Sequence, residues 1–385
     1  MKILHLCLSN FYIDGYGYQE NMLVAEHVRA GYKVHVLAST ETFGPGGTLT
    51  YLDPGSYFGS DGAVVERLPY RFASISLLAR KVRAYPGLST RLAEIAPDVI
   101  IFHGLCGYSL LEVARYVKKN PQTVLHADSH EDFNNSARTW VSKWILHFLF
   151  YRTIFQMSLP AIHSVSCISK ETESFVLDFY GCPPAKAQFL PLGGTVFSDA
   201  QYHQLRKAAR AKYQWSDEQR IFVQSGKFDN AKRLLDSLAA FSALPDQNLR
   251  LVLAGVFMDD VKEAAEELVR KDSRIVKLGW LDTQGLTSLL IGADVYLQPG
   301  SQSATMQMAV CCRKPVIVAD VISHRALISS NGWLVSSNQS LYDALQSAAR
   351  IQQSELESMS AQSAKIAASI LDYALQAEKL TSKTN

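Results

Sequence analysis

The sequence predicts an α/β protein made of two Rossmann-like domains facing across a cleft. Three observations carry this. Strand-like apolar runs alternate with helical patterns through both halves of the chain. The alternation begins afresh after a polar stretch, 195–219. The chain has 385 residues, room for two domains of ~100–200 residues each. Composition agrees: 48% of residues are hydrophobic and 19% charged, enough for two cores and against long disorder. A formal net charge of +2 gives no electrostatic sign of a nucleic-acid binder.

The first half reads in order. Lys2–Ser9 is a buried strand, followed by a Gly/Tyr-rich loop, Asp14–Tyr18. A helix over Gln19–Ala30 ends on Gly31, where a C-cap glycine belongs, and a second strand, Lys33–Ala38, completes one βαβ unit. Further strands are expected at 63–68, 98–103, 123–128, 163–168 and 187–192, with helices at 75–84, 110–119, 140–156 and 170–180. The Gly/Ser/Pro-rich stretch 44–62 reads as loop.

The second half repeats the scheme. Its expected strands are 221–224, 250–254, 275–278, 295–298, 316–319 and 333–335. Its expected helices are 232–242, 260–271, 283–291, 304–311, 341–350 and one long helix over 354–380. The expected domains are therefore 1–198 and 220–365, joined by a linker at 199–219, with 366–385 a helix able to cross back to the first domain.

Several local features bear on function. The helix at 140–155 is apolar nearly all round, which reads as core, although its aromatic and basic residues also permit contact with a membrane surface. Arg67, Arg71, Arg80, Lys81, Arg83 and Arg91 form a basic run, either a solvated helix face or a surface for acidic head groups or a phosphorylated acceptor. The six cysteines lack CxxC spacing and read as buried, reduced thiols of a cytosolic protein; no zinc or other metal site is expected. No signal-peptide pattern opens the chain and no run approaches the ~20 uncharged residues of a membrane span. The expected location is cytoplasmic, with room for a peripheral position at the inner face of a membrane.

In the second half, Phe222-Val-Gln-Ser-Gly-Lys-Phe-Asp-Asn-Ala-Lys-Arg233 resembles the segment that opens the second domain of glycosyltransferase family 4, a strand, a glycine and two basic positions. Leu251–Gly255, Val276–Leu281, Ala293–Pro299, Lys314–Asp320 and Asn331–Val335 follow in the family's order. In the first half, the Gly15/Gly17 loop, Ala127-Asp-Ser-His-Glu131, Ser166–Ser169 and Leu190–Gly194 are similar to family segments. The resemblance implies the two-domain GT-B fold and a retaining glycosyltransferase. Such an enzyme moves a sugar from a nucleotide-diphosphate donor to a glycan or glycolipid acceptor, as in surface polysaccharide or glycoconjugate synthesis. It implies no cofactor, no metal and no nucleic-acid partner. One departure stands out. Where the family carries two glutamates, this chain has Gly300 and Met308, with Ser301, Gln302, Ser303, Thr305 and Gln307 as nearby polar substitutes.

The chemistry at these positions can be stated. Cleaving the sugar–phosphate bond develops negative charge on the diphosphate, and fixed cations and backbone N–H groups stabilise it. Lys227 and Lys232, beside Gly226, are the candidate cations; the loop at 301–303 leading into the next helix is a source of N–H groups. Gly15 and Gly17 let the backbone approach a ligand, with Tyr12, Tyr16 and Tyr18 available to stack on a sugar or lipid. His130 is the candidate partner of the transferred sugar or acceptor, with Asp128 either orienting it or capping the chain that follows. His103 reads as structural. The resemblance also implies that the leaving phosphate can accept the acceptor's proton, so no carboxylate pair is required. Two other functions stay open on sequence: a catalytically degenerate partner subunit, favoured by the missing glutamates, and a sugar-nucleotide epimerase.

Overall fold

β1 (Lys2–Cys7) is buried beyond its first residue, and its apolar run Ile3, Leu4, Leu6 and Cys7 has no solvent exposure. Such a strand must be covered on both faces, which is how parallel sheets are built. The computed structural model describes residues 1–44, 48–72, 80–302 and 304–381. These form two compact units: one comprises Met1–Pro191 with the segment from Tyr373 onward, the other Leu192–Asp372.

The strands of the first unit are β1, β2 (Lys33–Ser39), β3 (Glu41–Phe43), β4 (Leu49–Tyr51), β5 (Gly55–Phe58), β6 (Val64–Leu68), β7 (Val99–His103), β8 (Val124–Ser129), β9 (Ser164–Cys167) and β10 (Ala187–Phe189). Eight of them make one sheet in the order β10-β9-β8-β7-β1-β2-β6-β5. All its neighbours are parallel except β5, which runs antiparallel to β6. The order reverses between β1 and β7, so the loops after these strands open at a topological switch point, where ligands bind in sheets of this kind.

The second unit contains β11 (Arg220–Phe228), β12 (Leu249–Phe257), β13 (Ile275–Gly279), β14 (Val295–Gln298), β15 (Val316–Ala319) and β16 (Gly332–Val335). They form one parallel sheet in the order β13-β12-β11-β14-β15-β16. Its switch point lies between β11 and β14. One apolar cluster includes Phe222, Phe241 and Leu253; a second includes Val223, Tyr296 and Met306. Both units are thus Rossmann-like.

Five sequence expectations change. The polar stretch taken as a linker at 199–219 is largely the helix Asp199–Lys212, begun by a Ser198/Gln201 capping box and packed within the second unit. Two of its arginines look inward: Arg206 donates to the carbonyl of Ile291 at 2.9 Å and to Asp294 at 2.5 Å, and Arg210 donates to the carbonyl of Gly292 at 3.2 Å. They close the end of helix Thr283–Gly292 and pair with a buried carboxylate, so these two charges mark capping rather than solvent. The long final helix is interrupted. Gln353–Ile366 runs into a π-helical turn, Ala367–Leu371, and breaks at Asp372, whose backbone is extended and bridges to Gly194. The last helix, Tyr373–Thr381, buries Tyr373, Ala377 and Leu380 with Ile3, Leu23 and Val99 of the first unit.

The stretch 44–62 is not all loop, since it contributes β4 and β5. The basic run does not form one solvated face either: Arg67 is buried and donates to the carbonyls of Tyr12 and Ser39, and Arg83 donates to the carbonyl of Cys106. Most of the helix expected at 75–84 lies outside the described residues. Finally, the helix expected in the core at 140–155 is π-helical over Val141–Tyr151 and buries only His147 and Tyr151 there. Trp140 is 68% exposed, Val141 59%, Ile145 49% and Leu149 62%, so its apolar circumference serves two sides, one packed and one open.

Candidate active site

In the second unit the candidate donor residues gather at the switch point. β11 carries Gly226, held at φ +136°, then the exposed Lys227. Lys227 makes no side-chain hydrogen bond or ion pair among the described residues. After β11, Asp229 caps a short 3-10 turn, Asn230–Lys232, by accepting from the Lys232 N–H at 3.1 Å. The Lys232 ammonium then donates to the carbonyls of Ser301 (3.0 Å) and Gln302 (2.8 Å). Burial lowers its pKa, against the opposing pull of Asp229. Lys232 is therefore half-buried and tied to the loop after β14, while Lys227 is free to meet an anion.

The loop after β14 is built from below. Gln298 is buried, accepts from the Tyr296 hydroxyl at 2.8 Å and donates to the carbonyl of Ser301 at 2.7 Å. Arg233, in the left-handed region at φ +53°, donates to Pro299 O at 3.3 Å and to Asp236 at 2.8 Å. Gly300 is required by contact. A Cβ there would stand 2.2 Å from the carbonyl oxygen of Ala231 and 2.6 Å from the carbonyl carbon of Lys232. The position that the sequence resemblance sets against a family glutamate is thus filled by main chain from the turn that carries Lys232. Ser301 and Gln302 are exposed at the head of helix Ala304–Cys311; Thr305 and Gln307 lie half-buried on it, and Ser303 lies outside the described residues. Lys314, part of the family-like run, is fully buried and donates to Tyr202, Ile291 and Ala293, a structural role.

In the first unit, Gly15 (φ +78°) and Gly17 are exposed in the loop after β1, and an added Cβ on Gly15 would meet nothing. Tyr16 and Tyr18 are exposed, with ring centroids 5.3 Å apart, but Tyr12 is buried and cannot stack on a ligand. His130 follows β8. Its Nε2 lies 3.4 Å from Asp128 Oδ1 and 3.8 Å from Glu20 Oε1, with hydrogen-bond geometry to neither. Burial opposes its charge, but the carboxylates of Asp128, Glu20 and Glu131 outweigh it and push its pKa up to about 9. Glu131 is buried and engaged by the Ser129 hydroxyl at 2.7 Å. Asp128 is engaged elsewhere than at the chain that follows: it accepts from the Gly104 N–H at 2.8 Å and meets His103 Nδ1 at 2.5 Å.

The sequence pointed to Asp128 and His103 near His130 but not to His5, Glu20 and His27 behind them. His5, His103 and Asp128 share one face of adjacent strands, with His103 paired in register to Asp128. Glu20 and His27, two turns apart on helix Gln19–Arg29, meet the same region. The available signal was His5 itself, a polar residue inside the buried run Ile3–Leu8.

Two family models match the chain: Glycosyltransferase Family 4 over residues 21–193 and Glycosyl transferases group 1 over 219–350. No curated protein matches. Among solved structures the chain is similar to sucrose-phosphate synthase from Thermosynechococcus elongatus, at 16% identity and TM-score 0.65, covering 99% of this chain and 98% of that one. It is similar to HepE from Anabaena in complex with UDP, at 16% identity and TM-score 0.64, with the same coverage. WaaG, a glycosyltransferase involved in lipopolysaccharide biosynthesis, aligns at 16% identity and TM-score 0.60, covering 98% of this chain and 99% of that one.

Proposed function

Because this chain belongs to the family 4-like glycosyltransferases of GT-B fold, we propose that it moves a sugar, with retention of anomeric configuration, from a nucleoside-diphosphate donor to a glycan or glycolipid acceptor. Surface polysaccharide or glycoconjugate synthesis is the setting we infer, in line with the lipopolysaccharide role of WaaG. HepE supplies the donor chemistry by analogy, since it binds UDP and UDP-glucose.

The observation that carries this reading is the pairing of a free ammonium on Lys227 with a loop pinned by Lys232, both at the switch point of the second unit. In the proposed reaction the bond from the sugar's anomeric carbon to the diphosphate oxygen breaks, and a bond to the acceptor oxygen forms. The acceptor's proton passes to the leaving phosphate. Lys227, Lys232 and the N–H groups near Ser301 and Gln302 stabilise that phosphate, with Gly226 keeping the approach open. His130, positively charged at neutral pH, donates a hydrogen bond to the transferred sugar or the acceptor and does not act as a base. The Gly15/Gly17 loop receives the acceptor.

Calorimetry with a panel of nucleoside-diphosphate sugars tests the donor half. One sugar nucleotide should bind, and Lys227→Ala with Lys232→Ala should abolish that binding; unchanged affinity in the double variant overturns the proposal. Anomeric NMR of the product reads retention directly.

We also infer that the first unit rests on an anionic lipid surface through the exposed face of 140–149. The contact we infer is peripheral; among the described residues no helix is long and apolar enough to cross a membrane. Charge supports it. Between Asp132 and Glu171 the chain has no acidic residue but carries Arg138, Lys143, Arg152 and Lys170.

A further inference from the structure

Three imidazoles and one carboxylate lie in a continuous buried line in the first unit. The carbonyl oxygen of Ala377, on the last helix, is 3.0 Å from His27 Nε2. His27 Nδ1 is 2.9 Å from His5 Nε2, and His5 Nδ1 is 2.9 Å from His103 Nε2. His103 Nδ1 is 2.5 Å from Asp128 Oδ2. All three histidines are buried, and the His5 and His103 rings lie within 11° of parallel. The ring nitrogens are used pairwise at hydrogen-bond distance, so the line is held by protons.

The protons can be counted. The line has four gaps, and a pure acceptor stands at each end: an amide carbonyl and a carboxylate. Every gap needs one proton. A neutral imidazole carries one N–H, so three neutral histidines fill three gaps. If each points toward Ala377, then His103 Nδ1 and Asp128 Oδ2 face one another as two acceptors at 2.5 Å. If each points toward Asp128, the same conflict arises between His27 and Ala377. A buried pair of bare acceptors is costly, so a fourth proton belongs to the line.

We propose that this fourth proton resides on His103, making it an imidazolium whose ion pair with Asp128 sets the position and charge balance of His130. The assignment to His103 follows from contact, because it alone of the three touches a carboxylate. It is supported by burial, which lowers the pKa of His5 and takes that of His27 down to about 4, so both stay neutral. Asp128 is itself held below the usual carboxylate range: burial opposes its charge, and the imidazoles of His103 and His130 more than offset it. The charged groups around the line are Asp128, His130 and Glu131 from the β8 side, and Glu20 from helix Gln19–Arg29, so two imidazoliums face three carboxylates. His103 thus becomes a positioning residue. It shares Asp128 with His130, and through His5 and His27 it connects that carboxylate to the last helix.

The proposal deepens the reading of His130 given above, but its test needs no substrate, so it can fail without disturbing the proposed transfer reaction. The first measurement uses the unaltered protein. Nitrogen-15-edited NMR of the imidazole rings at neutral pH should find both nitrogens of His103 protonated and one each on His5 and His27. An unprotonated His103 Nδ1, or a second proton on His5 or His27, overturns the assignment. The second follows the titration of His130 in His103→Gln. Glutamine keeps a donor toward Asp128 but removes a positive charge, so the His130 midpoint should rise by at least about half a pH unit. An unmoved midpoint in the folded variant would show that His103 only fills space. Should that variant not fold, the proton count on the unaltered protein decides alone.

Discussion

The Lys232 ammonium donates to the carbonyl oxygen of Gln302 at 2.8 Å, joining the turn after β11 to the loop after β14. The two candidate lysines therefore do different things. Lys232→Ala should lower stability by about 1–2 kcal/mol, the scale of hydrogen bonds from a charged group, and weaken donor binding as well. Lys227→Ala should weaken donor binding and leave the unfolding midpoint within about 0.5 kcal/mol of the parent. Thermal unfolding beside calorimetry separates the two, and equal loss of stability in both variants would contradict this division.

Restoring the family's carboxylate at 300 should fail. Because a Cβ there meets the Ala231 carbonyl at 2.2 Å, Gly300→Glu should destabilise by at least about 1–3 kcal/mol without raising transfer activity. Urea unfolding and a product assay check this. A stable variant with increased activity would show that the 231–232 turn yields readily.

His130 ties stability to pH. Its pKa, pushed up to about 9, lies above the ~6.5 expected in the unfolded chain. Protonation then favours the folded state. The contribution is complete below about pH 6.5 and is lost as pH rises through about 9. His130→Gln should flatten that decline in chemical denaturation across this window. If His130 donates to the substrate, transfer should fall on the same alkaline limb.

The exposed stripe predicts a surface phenotype. Trp140→Glu with Leu149→Glu should release the protein from vesicles containing anionic phospholipid and change folding stability by no more than about 0.5 kcal/mol per site, since both side chains face solvent. Sedimentation with anionic and with neutral vesicles reads this. Equal binding to both lipids, or no effect of the substitutions, would remove the proposed lipid contact.

Much of the architecture was legible because parallel strands buried on both faces write themselves as apolar runs, as in Ile3–Leu8 and Phe222–Val223. Lys227 and His130 were legible as candidates because one lies near the end of such a strand and the other directly after one. The remainder was set by tertiary partners that local pattern does not encode. Arg206 and Arg210 look like linker residues until Asp294 and the end of helix Thr283–Gly292 are placed beside them. The helix at 140–149 looks like core because periodicity reports how much of a circumference is apolar, not how much has a neighbour. His5, His27, His103 and Asp128 come from four separate elements: the register of β1, β7 and β8 aligns three of them, and the packing of helix Gln19–Arg29 adds His27.

The return of Tyr373–Thr381 to the first unit has a consequence for biosynthesis. The apolar surface formed by Ile3, Leu23 and Val99 leaves the ribosome long before its cover, Tyr373, Ala377 and Leu380. While the residues between Val99 and Tyr373 are made, that surface stands open and the intervening unit can already collapse. At ~5–20 residues per second this leaves tens of seconds of exposure. Truncation ahead of Tyr373 should therefore reveal itself first as a nascent chain held by chaperones.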